Sequence, residues 1–124
     1  MPWAGMLTTS TIDGKPVLAA QTETLAGWNA FPLYRYTKSE CTGACALAWP
    51  PLLTAGIPGT SGQVKVSGLG TRKIAGGLSQ VTYNRQALYL DGDETPNLSS
   101  GHMVLVGNGN DQKEAGGSFH LVTP

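Results

Sequence analysis

Met6-Leu-Thr-Thr-Ser-Thr-Ile12, then Asp13-Gly14, then Lys15-Pro-Val-Leu-Ala-Ala20 is the stretch on which the fold turns. Two runs rich in β-branched and aliphatic residues flank an Asp-Gly pair. That dipeptide suits the two-residue turn whose backbone twist matches the strands on either side. The stretch predicts a β-hairpin. Pro16 has no amide proton, so the second strand is expected to lie on an edge or to start late.

Outward from the hairpin, Phe31-Pro-Leu-Tyr-Arg-Tyr36 sets Tyr34 and Tyr36 two residues apart, on one face of a third strand. Further strands are predicted at 64–67, 71–74, 78–83, 86–90, 102–106 and 118–122. Ala75-Gly76-Gly77 and Asn84-Arg85 read as tight turns, and 52–62 and Gly107-Asn108-Gly109-Asn110 as loops. Ser39 or Glu40 opens a short helix that runs through Trp49, where Pro50-Pro51 ends it. Some nine residues cannot hold a helix alone, so Leu47 and Trp49 are expected to pack against a sheet.

The composition agrees. Of 124 residues, 17 are Gly and 8 are Pro, which favours many short strands over long helices. The length suits one domain spanning 1–124. Only 13% of residues are charged, against about 25% in an ordinary soluble domain. Eight basic and eight acidic side chains cancel, which removes the electrostatic footprint of a nucleic-acid binder. No run approaches the ~18 apolar residues of a transmembrane helix. Met1-Pro-Trp-Ala-Gly-Met6 lacks a basic region followed by an apolar one, so no signal segment is expected within these residues.

An internal similarity runs at a constant offset of 55. Trp28-Asn-Ala-Phe-Pro-Leu-Tyr34 aligns with Tyr83-Asn-Arg-Gln-Ala-Leu-Tyr89, matching aromatic, Asn, Leu and Tyr at equivalent places. One such unit cannot bury its own sheet face, so two packed together account for the presence of both. The expected architecture is mainly β. It is a compact antiparallel β-sheet domain, sandwich or barrel-like, built from two related repeats at 6–57 and 64–124, with one short helix around 41–49.

Four groups of residues bear on chemistry. Cys41 and Cys45 form a C-x3-C pair whose α-carbons would lie about 6 Å apart on a helix, within disulfide range. With no second pair and no C-x-x-C, a structural bridge is favoured over reduced thiols or a metal or redox role. Trp28, Tyr34, Tyr36, Trp49, Tyr83 and Tyr89 form a candidate stacking surface, although aromatics at strand spacing more often fill a core. Asp91, Asp93 and Glu94 crowd one loop and are weak calcium candidates, since their spacing is not that of an EF-hand. His102 and His120, on predicted strands, are weak copper candidates. No metal and no cofactor is assigned. Ser118 lies two residues from His120, but no nucleophile, base and orienter occur together in a recognisable pattern, so an enzyme is not expected.

The run Leu33-Tyr34-Arg35-Tyr36, followed by Cys41-Thr42-Gly43-Ala44-Cys45-Ala46-Leu47-Ala48-Trp49-Pro50-Pro51-Leu52, resembles the bacterial secreted-repeat family of predicted lipoproteins. That family is marked by a Tyr-x-aromatic-x-x-Asp motif and a C-T-G-x-C-x-x-x-W-P-P segment. Gly68-Leu-Gly70, Gln80-Val-Thr-Tyr-Asn84, Ala87-Leu-Tyr89 and Gly116-Gly-Ser-Phe-His-Leu-Val122 continue the resemblance. Ser39 and Glu40 stand where the family motif has Asp, and Tyr89-x-Asp91 lacks the middle aromatic. The resemblance implies an extracytoplasmic, often lipid-anchored, β-rich protein of paired repeats, and brings no established activity.

The expected function is therefore a non-enzymatic extracytoplasmic module, secreted, periplasmic or surface-attached. Its partners would be other envelope or extracellular proteins, with self-association as a further mode. The alternative is an accessory to electron transfer or to metal or small-ligand binding in the envelope.

Overall fold

A computed structural model describes residues 6–12, 14–24, 27–38, 41, 43–56, 58–90, 97–99, 102–104, 113–114 and 116–124. Among the described residues the chain is mainly β with one short α-helix. Its first sheet has the order β3-β2-β1-β6, made of β1 (Met6–Ile12), β2 (Lys15–Thr24), β3 (Gly27–Pro32) and the short β6 (Gly59–Thr60), which joins β1 in parallel.

β1 and β2 form the expected hairpin, in register from Ile12↔Lys15 to Met6↔Gln21. Gly14 in the turn has φ 78°, a left-handed conformation that glycine enters without steric cost. Contrary to expectation, β2 starts at Lys15 and is an interior strand. Pro16 is tolerated because β3 pairs with β2 only from Ala19 onward, so no β3 acceptor loses a donor.

β2 is covered on both faces. Val17 and Ala19 pack with Ile12, whereas Leu18 and Ala20 enter a second core with Leu7, Leu33, Leu52, Val81, Leu88 and Val122. Alternation sends neighbours to opposite sides, so an uninterrupted apolar run is what a doubly covered strand needs.

The predicted strand at 31–36 is divided. β3 ends at Pro32 and β4 (Tyr34–Tyr36) follows Leu33. The break comes from the two backbone partners of Leu33, one on β2 and the other the residue just beyond Leu121. Leu33 N–H donates to Leu18 O (3.0 Å), Leu18 N–H to Val122 O (2.7 Å), and Val122 N–H back to Leu33 O (3.3 Å). Three segments of chain thus meet in a closed ring of hydrogen bonds. A second ring has the same form: Leu52 N–H donates to Leu88 O (3.1 Å), Leu88 N–H to Val81 O (3.0 Å) and Val81 N–H to Leu52 O (2.9 Å). All six side chains are buried in one cluster.

The second ring belongs to the sheet β5-β8-β7, formed by β5 (Leu53–Thr54), β7 (Leu69–Lys73) and β8 (Ser79–Tyr83), with β9 (Gln86–Ala87) hairpinned on β8. Segment 52–62, expected as loop, therefore supplies two short strands and the buried Leu52 and Leu53. The strand expected at 64–67 is absent. A turn of 3₁₀ helix (Val66–Gly68) occupies its end and leaves Val66 64% exposed.

Asn84 and Arg85 make the β8–β9 turn with φ 49° and 67°, the mirror-image geometry favoured in two-residue hairpins. Asn tolerates this conformation, but Arg carries a steric penalty that glycine avoids. Arg85→Gly is expected to raise unfolding free energy by about 0.5–1 kcal/mol. A higher urea midpoint at unchanged m-value would report it.

β10 (Asn97–Ser99) and β11 (His102–Val104) pair with each other. β12 (Lys113–Glu114), β13 (Gly117–Leu121) and β4 form a three-stranded antiparallel sheet.

Candidate functional site

The α-helix of the described residues, α1 (Ala44–Ala48), is shorter than the 41–49 expected. Gly43, at φ 61°, turns the chain into it, and the Trp49 N–H closes it on Cys45 O at 2.8 Å before Pro50-Pro51. Cys41 lies ahead of the helix, yet its α-carbon is 5.2 Å from that of Cys45 and the two are bridged. Both sulfurs are therefore spent on the bridge, which removes the thiolate pair needed for a cysteine metal site. Closing so short a loop contributes about 2 kcal/mol on a chain-entropy account.

The bridge packs into an aromatic cluster of Tyr34, Tyr36, Trp49, Tyr89 and Phe119. Trp49 and Phe119 stack at 3.9 Å with planes 8° apart, and Tyr36 stacks on the far side of Phe119 at 4.5 Å. Two edge-on contacts flank the stack alike: Tyr34 on Trp49 at 5.5 Å and 79°, and Tyr89 on Phe119 at 5.6 Å and 82°. Tyr34 and Tyr89 also exchange backbone hydrogen bonds, both 2.9 Å, in an isolated antiparallel bridge. Such geometries are those aromatic quadrupoles prefer.

This corrects the expected stacking surface. Tyr34, Tyr36, Trp49 and Tyr89 converge, but inside the protein, with none more than 8% exposed. Tyr83 enters the aliphatic core instead, where its hydroxyl accepts from the Lys65 N–H at 3.0 Å. Trp28 lies on β3 opposite Glu23, and its side chain falls outside the described residues.

A polar network braces the cluster. Gln80, 1% exposed, donates through Nε2 to Leu88 O (2.8 Å) and accepts from Arg72 Nε (2.9 Å). The Arg72 guanidinium also reaches the Tyr89 hydroxyl at 3.2 Å. Among the described residues every buried side-chain nitrogen and oxygen has a hydrogen-bond partner. A core satisfied in this way is rigid.

Two features were missed at the sequence level. One is the outward aim of Leu47, expected against a sheet but 85% exposed. The bridge at Cys41–Cys45 and the burial of Trp49 together fix which side of so short a helix faces in. The other is the pairing of Ser118 with His120 (Oγ···Nε2, 3.1 Å), which the i, i+2 spacing on one strand makes possible. His102 lies on β11 with its side chain outside the described residues, as are Asp91, Asp93 and Glu94 altogether. Among the described residues no three His, Cys, Asp or Glu groups gather as metal ligands would. Comparison with protein-family models, curated proteins and solved structures finds no match.

Proposed function

We propose that this protein is a non-enzymatic, extracytoplasmic binding module built from two related repeats, and that it docks on other envelope proteins through the tip of α1. The observation that carries this reading is Leu47, a large apolar side chain 85% exposed on a helix stapled by the Cys41–Cys45 bridge. Gly43 and Ala44 beside it are exposed as well, and none of the described residues 43–48 is charged. Uncharged, apolar contact points are typical of interface cores.

The bridge favours an oxidising compartment, because cytosolic reductants keep such pairs open. Among the described residues no helix is long and apolar enough to cross a membrane. The repeat reading draws support from the two hydrogen-bond rings and the paired edge-on contacts, which set Leu33 with Leu88 and Tyr34 with Tyr89 as the 55-residue offset does.

Leu47→Glu tests the docking site. An exposed substitution changes stability by no more than about 0.5 kcal/mol. The expected result in a pull-down from the native envelope fraction is a specific co-purifying protein that the variant loses while its melting temperature stays the same. A captured set indifferent to Leu47→Glu would show that docking lies elsewhere.

A further inference from the structure

We propose that the outward face of the β4–β13–β12 sheet is a binding site for a small phosphate-bearing solute, independent of the docking tip on α1. On β4, Arg35 sits between the buried Tyr34 and Tyr36 and so points away from the core. On β13, Ser118 and His120 likewise flank the buried Phe119. The register sets His120 directly opposite Arg35, and Ser118 directly opposite Lys113.

Side chains opposite one another on a shared face have Cβ atoms about 5 Å apart, and i, i+2 neighbours follow at roughly 7 Å. One guanidinium, one imidazole, one hydroxyl and one ammonium thus fall within the reach of a single tetrahedral anion. None of these four positions carries a carboxylate.

Two of the groups, Ser118 and His120, are already oriented. Ser118 Oγ and His120 Nε2 are 3.1 Å apart, and the Ser118 N–H donates to Thr37 Oγ1 at 2.9 Å, which ties β13 to the end of β4. Lys38 lies over Gly116, where a Cβ would come within 2.8 Å of its Nζ. Three of the eight Lys and Arg residues therefore edge one patch of a chain with zero net charge.

Arginine's planar fork matches phosphate oxygens in pairs, and charge-assisted hydrogen bonds are about twice as strong as neutral ones. With no net charge there is no long-range field to draw the protein onto a membrane or a nucleic acid. The compact site accordingly suits a small solute rather than a charged surface.

The test is a titration of the full chain with inorganic phosphate, chloride being used to hold ionic strength constant, followed by NMR of the His120 imidazole and the Arg35 and Ser118 amides. The expected result is saturable shifts in the millimolar range, weakened about tenfold or more by Arg35→Gln. Lys15→Gln, at the exposed start of β2, should leave them unchanged. Shifts that chloride alone reproduces, or that survive Arg35→Gln in a folded protein, would overturn the site. Shifts seen only with phosphatidylglycerol vesicles and not with phosphate would overturn the solute class.

Discussion

A chain ended after Gly116 is expected to show no cooperative thermal transition. The deletion removes β13 and Val122, and with them the three cross-strand pairs to Tyr34, Arg35 and Tyr36. Leu18 N–H and Leu33 O lose their partner in the first hydrogen-bond ring while remaining at the centre of the core. Each buried backbone group left unpaired costs about 1–3 kcal/mol, and the lost Phe119 and Val122 add several more. The sum rivals the roughly 5–15 kcal/mol that holds a small domain together. Circular dichroism during heating decides the matter. A sigmoidal transition within a few degrees of the full chain's would mean that β13 is an accessory strand.

Phe119→Ala is the sharper version of the same experiment, since it keeps the backbone. Phe119 is wholly buried between Trp49 and Tyr36, with Tyr89 edge-on, so truncation leaves a cavity bounded by three rings. Such losses cost about 3–5 kcal/mol. For a domain of this length the melting temperature should fall by roughly 10–20 °C. Phe119→Leu refills part of the space and should lose distinctly less. If both variants melt within a degree or two of the parent, the ring stack contributes nothing beyond what an aliphatic core would.

The hairpins were the legible part of this fold, because their signals are local. Asp13-Gly14 and Asn84-Arg85 each specify a turn from residues side by side in the chain. The rings were not legible. Nothing in the neighbourhood of Leu33 announces that its two backbone groups go to Leu18 and Val122, since the choice depends on a strand 89 positions later. The same holds for the segment around Leu52, whose Gly and Pro content reads as loop until Val81 and Leu88 are placed beside it. Of the candidate site, the Cys41–Cys45 bridge was legible from the short spacing together with the lack of any other cysteine, although Cys41 proves to lie ahead of the helix and not on it. The aromatic residues were named as a candidate surface with a core as the commoner alternative, and Tyr34, Tyr36, Trp49 and Tyr89 take that alternative. The two-residue spacing of Tyr34 and Tyr36 fixes that they share a face, whereas only packing decides whether that face looks inward.

The sheet that carries Gln80 ends on β7, which has β8 on one side and, among the described residues, no strand on the other. An open strand offers its unpaired amides and carbonyls to any other chain, and a protein without net charge lacks the mutual repulsion that keeps copies apart. Arg72 and Lys73 stand on that strand, and Arg72 is held in place by Gln80 and the Tyr89 hydroxyl. A second molecule pairing there in antiparallel register would bring its own Arg72 and Lys73 against these. The side chain that braces the aromatic core thus also places a fixed positive charge on an open edge, one of the devices by which strands are kept from pairing between molecules.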